Sequence, residues 1–349
     1  DLHSFPTRRS SDLHIDGKSE SFPLEYHGMG TRSWASLLTF KAYITWLADS
    51  FEKEASAPFC PILALEEPEA HLHPNAQRHL YSQLTSICGQ KIISSHSPYI
   101  AGQCRLSQIR LFYKSDDCPI ISTFNYSDLS REDVRRLNRE ILHTKGELLF
   151  SKGIVLFEGE TEEQALPIFA KAYWGPHPFE LGIDFVGVGG SGNYLPFIRF
   201  CESFHIPWYI LSDGEDDTVN AVKSALQKAS IDTSKGFPEN VKVIDKKNNF
   251  EKLLIAEGYQ SEIKAGILAC LESTFQNAKH KSAKEKEVNG WNDAQLLDFM
   301  DSYKTMLCSD LADEIVKVED KKRRFPSIIK AIFELLSKRL NLPINQANI

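Results

Sequence analysis

The stretch IVLFEGETEEQALPIFAKA, residues 154–172, decides the fold of this chain. Ile154 to Phe157 is an unbroken apolar run, which predicts a strand buried on both faces in a parallel sheet. The run ends at Glu158-Gly159. Thr161 then has the character of a helix N-cap, with Glu162 and Glu163 in the first turn, where the helix dipole favours carboxylates. Glu158 is therefore expected at the carboxyl end of a strand, where open α/β sheets take their ligands. Glu162 follows at the mouth of the next helix. Two carboxylates so placed can share a hard divalent cation through oxygen ligands.

A second short apolar run, Pro207 to Leu211, leads straight into Ser212-Asp213-Gly214-Glu215-Asp216-Asp217. Acids crowded at one strand end are hard to ionise together without a cation. Between the two runs lie Ile183 to Val188, the turn Gly189-Gly190-Ser191-Gly192-Asn193, and a helical pattern reaching Phe204. The pattern is β–α–β–α–β with acids at two strand ends. Either acidic run alone also fits a solvated helix start or an ordinary acidic turn. Their pairing around a Gly-rich turn points to a metal site. In that order, LFEGETEE, VGVGGSGN and LSDGEDD resemble a Toprim domain, the metal-dependent catalytic fold of certain nucleases, primases and topoisomerases.

Upstream, Gly28-Met29-Gly30-Thr31-Arg32-Ser33 opens a helix expected over Ser33 to Glu54, and free N–H groups there suit a phosphate. Pro61 to Leu65 reads as a buried strand that ends in Glu66-Glu67-Pro68-Glu69-Ala70-His71-Leu72-His73-Pro74. A helix, Asn75 to Cys88, and a strand ending in Ser94-Ser95-His96-Ser97-Pro98 follow. This order resembles the second half of an ABC-type ATPase. The resemblance implies that Glu66 holds Mg2+ through water, Glu67 polarises the attacking water and His96 is the switch histidine. Gly28 to Ser33, with Gly28 and Gly30, takes the place of the signature loop that meets a partner subunit's nucleotide. No G-x-x-x-x-G-K-[ST] is present; Gly17-Lys18-Ser19 lacks the earlier glycine and a preceding strand. The chain is thus expected to be an N-terminally truncated fragment that does not hydrolyse ATP by itself. His71 and His73 lack a third ligand at a useful spacing, so packing is the expected role.

Composition sets outer bounds. The 349 residues suit two domains, and 42% hydrophobic content is that of an ordinary globular chain. A net charge of −7 requires any nucleic-acid partner to find a local basic face. Seven cysteines without a CxxC pair read as reduced thiols of a cytoplasmic protein. No apolar run approaches the ~18 residues of a membrane span.

Residues 1–13, DLHSFPTRRSSDL, resemble a translated sequencing adaptor and are set aside. Residues 14–128 are the ATPase part, closed by strands at Ile109 to Tyr113 and Ile120 to Phe124. Residues 129–150 are a linker helix; Arg131, Arg135, Arg136 and Arg139 alternate there with acids, more as a solvated face than a DNA surface. Residues 151–258 are the Toprim core, with a helix at Val219 to Lys228, a strand at Val241 to Ile244, and Glu251 near the start of the next element. Residues 259–349 are mainly helical. Lys279 to Lys286 reads as a loop or solvated face. The basic run Lys321-Lys322-Arg323-Arg324 precedes an amphipathic helix, Ser327 to Arg339.

The fold class is α/β: the C-terminal half of an ABC-type ATPase domain, then a Toprim parallel-sheet domain with a helical C-terminal part. Residues 21 to 340 resemble one family with this order, the OLD (overcoming lysogenization defect) nucleases, which include the nuclease of the Gabija defence system. The resemblance implies Mg2+- or Mn2+-dependent hydrolysis of DNA phosphodiesters, regulated by ATP, in a homodimer or higher oligomer. Phage defence and a helicase-like defence partner come with it. Carried over, Glu158, Glu162, Asp213 and Glu215 hold two metals, Glu251 adds a contact, and Lys322 neutralises the transition-state phosphate. Glu158 is also the candidate general base. The family's Asp-x-Asp is here Asp213-Gly214-Glu215, which leaves open a role for Asp216 or Asp217, and Lys321 is nearly as good a match as Lys322. The alternative is a catalytically degenerate, ATP-responsive DNA-binding or scaffold protein. A topoisomerase or primase would need a companion tyrosine domain or a primer-template module, and neither is visible.

Overall fold

A computed structural model of the chain describes residues 12–13, 22–54, 59–115, 118–125, 129–142, 146–190, 193–245 and 248–348. Gly17 to Ser19, most of the adaptor-like segment and Ser191-Gly192 lie outside the described residues. The chain divides into two compact units: Asp1–Ile109 with Asn138–Gly146, and Arg110–Leu137 with Glu147–Ile349. No described helix is long and apolar enough to cross a membrane.

In the first unit Asp12–Leu13, part of the segment set aside, pair antiparallel with Phe22–Pro23. Helix α1 spans Met29–Glu54, so it begins four residues before the expected Ser33. Strands β1 (Ile62–Glu66) and β2 (Gln90–Ser94) pair in parallel, with Glu66 opposite Ser94. Between them, α2 (Pro74–Thr85) starts with proline at its first position, where the missing N–H costs nothing. His73 caps it, its Nδ1 accepting from the Asn75 N–H at 3.2 Å. The short helix α3 (Pro98–Ala101) is capped by Ser97. Leu63, Leu80, Leu84, Ile87 and Ile100 form the core of this unit.

In the second unit, β3 (Leu111–Ser115) and β4 (Cys118–Ser122) form an antiparallel hairpin. Sequence reading placed this hairpin with the ATPase part; compactness groups it with the second unit, where Phe124 packs on Phe204. Helix α4 (Arg131–Leu137) follows and runs into a π-helical turn at Asn138–Leu142.

The main sheet contains β5 (Gly153–Phe157), β6 (Ile183–Gly187), β7 (Trp208–Ser212) and β8 (Val241–Val243). Its order is β8-β7-β5-β6, all parallel. Every residue of β5 and β7 is buried, which explains their unbroken apolar sequences. Helices α5 (Glu160–Trp174), α6 (Tyr194–Phe204) and α7 (Asp216–Lys228) follow β5, β6 and β7. The chain leaves β5 toward β6 on one side and returns to β7 on the other. The carboxyl ends of β5 and β7 therefore flank a topological switch point, the ligand crevice of open parallel sheets.

The C-terminal part is helical: α8 (Phe250–Ala256), α9 (Gln260–Cys270), α10 (Ala278–Asn289), α11 (Asp293–Ser302), α12 (Lys304–Val316) and α13 (Ser327–Leu340). Helix α10 occupies the charged Lys279 to Lys286 stretch, where a loop or solvated face was expected; Val288 is its one buried residue. These helices share one core with the sheet, joining Phe157 and Phe169 to Ile263, Leu311, Ile329 and Phe333. Trp174 of α5 stacks near Phe333 of α13, ring centroids 4.7 Å apart. Its indole N–H donates to the buried Ser337 hydroxyl at 2.8 Å.

Candidate metal centre at the strand ends

Glu158 directly follows β5 and Asp213 directly follows β7, and β5 and β7 are neighbours in the sheet. The structure thus brings together the two acids that the sequence put at separate strand ends. Glu158 Oε1 and Asp213 Oδ1 are buried and have no hydrogen-bond partner. Gly159 caps α5 in place of the expected Thr161, and Glu162 folds back toward it, 4% exposed. Glu251, in the first turn of α8, is also 4% exposed. Thr161, freed from capping, donates its hydroxyl to Glu251 Oε1 at 2.7 Å.

Electrostatics record the crowding. Burial, then the charges of Asp213 and Glu251, push the Glu162 carboxyl up to about 8. Burial, then Glu251, Glu215 and Glu158, push Asp213 up to about 7. Glu158 is raised by burial and by Glu215, while the neighbouring Tyr194 hydroxyl pulls it down. Tyr194, the first residue of α6, is fully buried, and its hydroxyl acts on Glu158 as a hydrogen-bonding neighbour, though outside strict hydrogen-bond geometry.

Glu215 is exposed as the N-cap residue of α7, close enough for its charge to act on both Glu158 and Asp213. Asp216 and Asp217 are exposed in the first turn of α7, a place that the helix dipole alone favours. Gly214 between Asp213 and Glu215 is imposed by packing: a Cβ there would sit 2.1 Å from the Ile244 carbonyl oxygen. Among the described residues the cation paired with these acids is Lys304, the first residue of α12, which carries no signal in the sequence. Its Nζ lies 3.4 Å from Glu251 Oε1 and 3.4 Å from Asp301 Oδ1, and it opposes the raised values of Glu162 and Asp213. Lys322 lies in the single turn Lys321–Arg323 and lines a pocket with Glu257, Tyr259 and Lys330.

These residues fit a hard divalent cation: all are oxygen donors, and two buried carboxylate oxygens at adjacent strand ends lack partners. Among the described residues no three His, Cys, Asp or Glu side chains form a ready-made cage.

The first unit holds the other expected residues. Glu67 Oε1 lies 3.4 Å from His96 Nε2, both side chains open to solvent. The Glu67 N–H donates to the Ser94 carbonyl at 3.0 Å, and Glu67 sits at φ 40°. Glu66 ends β1 opposite Ser94. Glu69, which the sequence did not single out, is 8% exposed. Its Oε1 accepts from the Ser95 hydroxyl at 2.6 Å and from the His96 N–H at 3.0 Å. A buried carboxylate therefore fixes the loop that carries His96. Gly28 precedes α1 and Gly30 lies inside it, where a Cβ would meet the His71 carbonyl oxygen at 2.7 Å. Gly30 therefore serves close packing within this unit.

Fold and site define a Toprim domain: a parallel sheet with acids at the ends of β5 and β7. Residues 149–214 match the family model of the overcoming lysogenization defect protein-like TOPRIM domain, and residues 4–101 that of the AAA ATPase domain. Over 159 residues the chain is 31% identical to the OLD nuclease of Thermus scotoductus, covering 43% of this chain and 30% of that protein. Over 156 residues it is 27% identical to the uncharacterized protein YbjD of Escherichia coli, covering 45% of this chain and 28% of that one. The solved C-terminal region of the Xanthomonas campestris pv. campestris OLD protein is 21% identical; it covers 56% of this chain and 96% of that one, with a TM-score of 0.42. The chain thus carries one stretch that matches an AAA ATPase domain and one that matches an OLD-like Toprim domain. It spans less than a third of the length of the curated relatives it matches, 30% and 28%.

Proposed function

We propose that the second unit carries the site of an OLD-type DNA endonuclease that hydrolyses phosphodiester bonds with Mg2+ or Mn2+. The observation that carries this reading is the pair of buried, unpartnered oxygens on Glu158 and Asp213. Buried charges without partners are costly, and a bound cation removes the cost. Glu158, Asp213 and Glu162 would hold the cation, with Glu215 reaching in from the loop. When bound, the cation supplies Lewis acidity toward a phosphoryl oxygen and eases ionisation of water. Glu158 accepts the proton of the attacking water; burial and the charge of Glu215 raise its proton affinity above that of an ordinary carboxylate. Water attacks phosphorus, and the bond to the leaving sugar oxygen breaks. Glu162 and Asp213 hold the negative field in place from buried positions.

ATP regulation through Glu66, Glu67 and His96, assembly into a homodimer or higher oligomer, and a defence role in the cytoplasm with a helicase-like partner belong to the same proposal. They rest on the domain combination alone. The domain limits read from the sequence are kept in this proposal, with the hairpin at Leu111–Ser122 moved to the nuclease side. The second reading, a degenerate DNA-binding scaffold, is favoured by one observation: Glu215 is exposed where the family places a shorter Asp.

Cleavage of supercoiled plasmid with Mg2+ or Mn2+ separates the two. The nuclease reading expects nicking or linearisation that the Glu158→Ala chain loses. DNA binding without metal-dependent cleavage selects the scaffold. No ATP turnover is expected; turnover that Glu67→Gln abolishes would overturn that part.

A further inference from the structure

The acids at the strand ends fall into two halves. Glu158 Oε1 and Asp213 Oδ1 have no partner. Glu251 has two: the Thr161 hydroxyl at 2.7 Å and the Lys304 ammonium at 3.4 Å, both on Oε1. We propose that Lys304 fills with its ammonium the place of a second divalent cation, so that this chain takes up one divalent cation at Glu158 and Asp213 and keeps a fixed charge at Glu251. The proposal rests on the reading of these acids as a cation site.

Three features support it. First, the lysine is anchored. Lys304 opens α12, and Leu307, Leu311 and Ile315 of that helix are buried in the core shared with α5. Its backbone is held while its side chain stays 38% exposed.

Second, the charges exclude a neighbour. A divalent cation on Glu251 Oε1 would stand within a few ångströms of the ammonium already there. The two positive charges would repel across a carboxylate that is 5% exposed, so ammonium and metal are alternatives on it. The charge of Lys304 also reaches Glu162 and Asp213.

Third, an ammonium has three donors. Two face Glu251 and Asp301, leaving the third for a phosphate oxygen. Lys304 is therefore a charge-setting and positioning residue.

The test counts Mn2+ bound by the full chain without nucleotide, by electron paramagnetic resonance of the free ion, with folding checked by circular dichroism. Expected are one Mn2+ in the wild type, none at this site in Glu158→Ala, one in Lys304→Arg and two in Lys304→Met. The extra ion should vanish again in Lys304→Met/Glu251→Gln. Two Glu158-dependent ions in the wild type, or one in a folded Lys304→Met chain, overturn the proposal and leave the cation-site reading standing. No Mn2+ bound by the wild type overturns both. If Lys304→Met does not fold, the wild-type and Lys304→Arg counts decide: one each upholds the proposal and two in either overturns it.

Discussion

Neutralising Glu162 should stabilise the metal-free protein at high pH. Its carboxyl stands at about 8 in the folded chain, against an ordinary 4.5, because burial and the charges of Asp213 and Glu251 disfavour ionisation. The folded state thus binds this proton more tightly than the unfolded state. Its contribution to stability is full below about 4.5 and is lost as pH rises through about 8. For one such group the loss between pH 5 and pH 8 is roughly 3 kcal/mol. Asp213, raised to about 7, acts in the same direction, but the repulsion between the two is shared and counts once. The assay is urea unfolding of the second unit in EDTA at pH 5, 6, 7 and 8, for the wild type and Glu162→Gln. Expected are near-equal stabilities at pH 5 and a variant more stable by roughly 3 kcal/mol at pH 8. Mn2+ should restore the wild type at pH 8 and leave Glu162→Gln little changed. A variant that is less stable than the wild type at pH 8 would refute the reasoning, because Glu162 would then be stabilised as a carboxylate by something other than added metal.

Three further perturbations probe the frame around the site. Gly214→Ala places a Cβ 2.1 Å from the Ile244 carbonyl oxygen, so the end of β7 must shift; thermal unfolding should show a loss of about 1–3 kcal/mol, with weakened Mn2+ binding. Trp174→Phe removes the indole donor from the buried Ser337 hydroxyl while keeping an aromatic ring near Phe333. Urea unfolding should register a cost of about 1–3 kcal/mol, as one cooperative transition that includes the C-terminal helices. Glu69→Ala leaves the Ser95 hydroxyl and the His96 N–H without their acceptor; amide exchange over residues 94–98 should speed up at least tenfold, while exchange in β5 and β7 stays unchanged.

What could be read from the sequence follows from how each feature is encoded. The strands β5 and β7 are buried along their whole length, so they appear as unbroken apolar runs, and the acids at their ends follow directly. The start of α1 was misplaced because Gly28 to Ser33 looks like a turn; Gly30 is helical and is glycine because it lies against the backbone of His71. Thr161 has the right chemistry for a cap, but the helix starts earlier and its hydroxyl is drawn to Glu251. Lys304 gave no local signal. It opens a helix after Asp301, where an acid–lysine pair reads as ordinary surface decoration, and only the packing of α12 on α5 brings it to Glu251. Lys322 stands out in the sequence because it lies in a basic run; in the structure it lines a pocket with Glu257 and Lys330. Glu69 was hidden in an acidic motif whose first two members drew the attention.

The surroundings of the acids bear on whether the site is live. An acidic turn kept for solubility would be exposed. Glu215, Asp216 and Asp217 are exposed in that way. Glu162 and Glu251 are 4% exposed, on helices whose other buried residues, such as Ala165, Leu166 and Leu254, pack in the common core. Glutamine or leucine at those positions would avoid the repulsion at no loss of packing, since buried like charges cost more than neutral isosteres. Local choices that oppose folding persist in natural chains mainly where function requires them. A scaffold that had lost catalysis would be free to relax this repulsion; Lys304 and Thr161 offset it at Glu251, whereas Glu162 stays raised to about 8. The exposed Glu215 is then the adaptable member of the group: its longer side chain can reach back toward Glu158 and Asp213 once a cation draws it. Glu215→Asp should accordingly keep cleavage within about threefold of the wild type. Glu215→Ala should weaken Mn2+ binding about tenfold, roughly 1.4 kcal/mol, and leave the metal-free unfolding curve almost unchanged. Equal Mn2+ affinity in Glu215→Ala would remove Glu215 from the site and return weight to the scaffold reading.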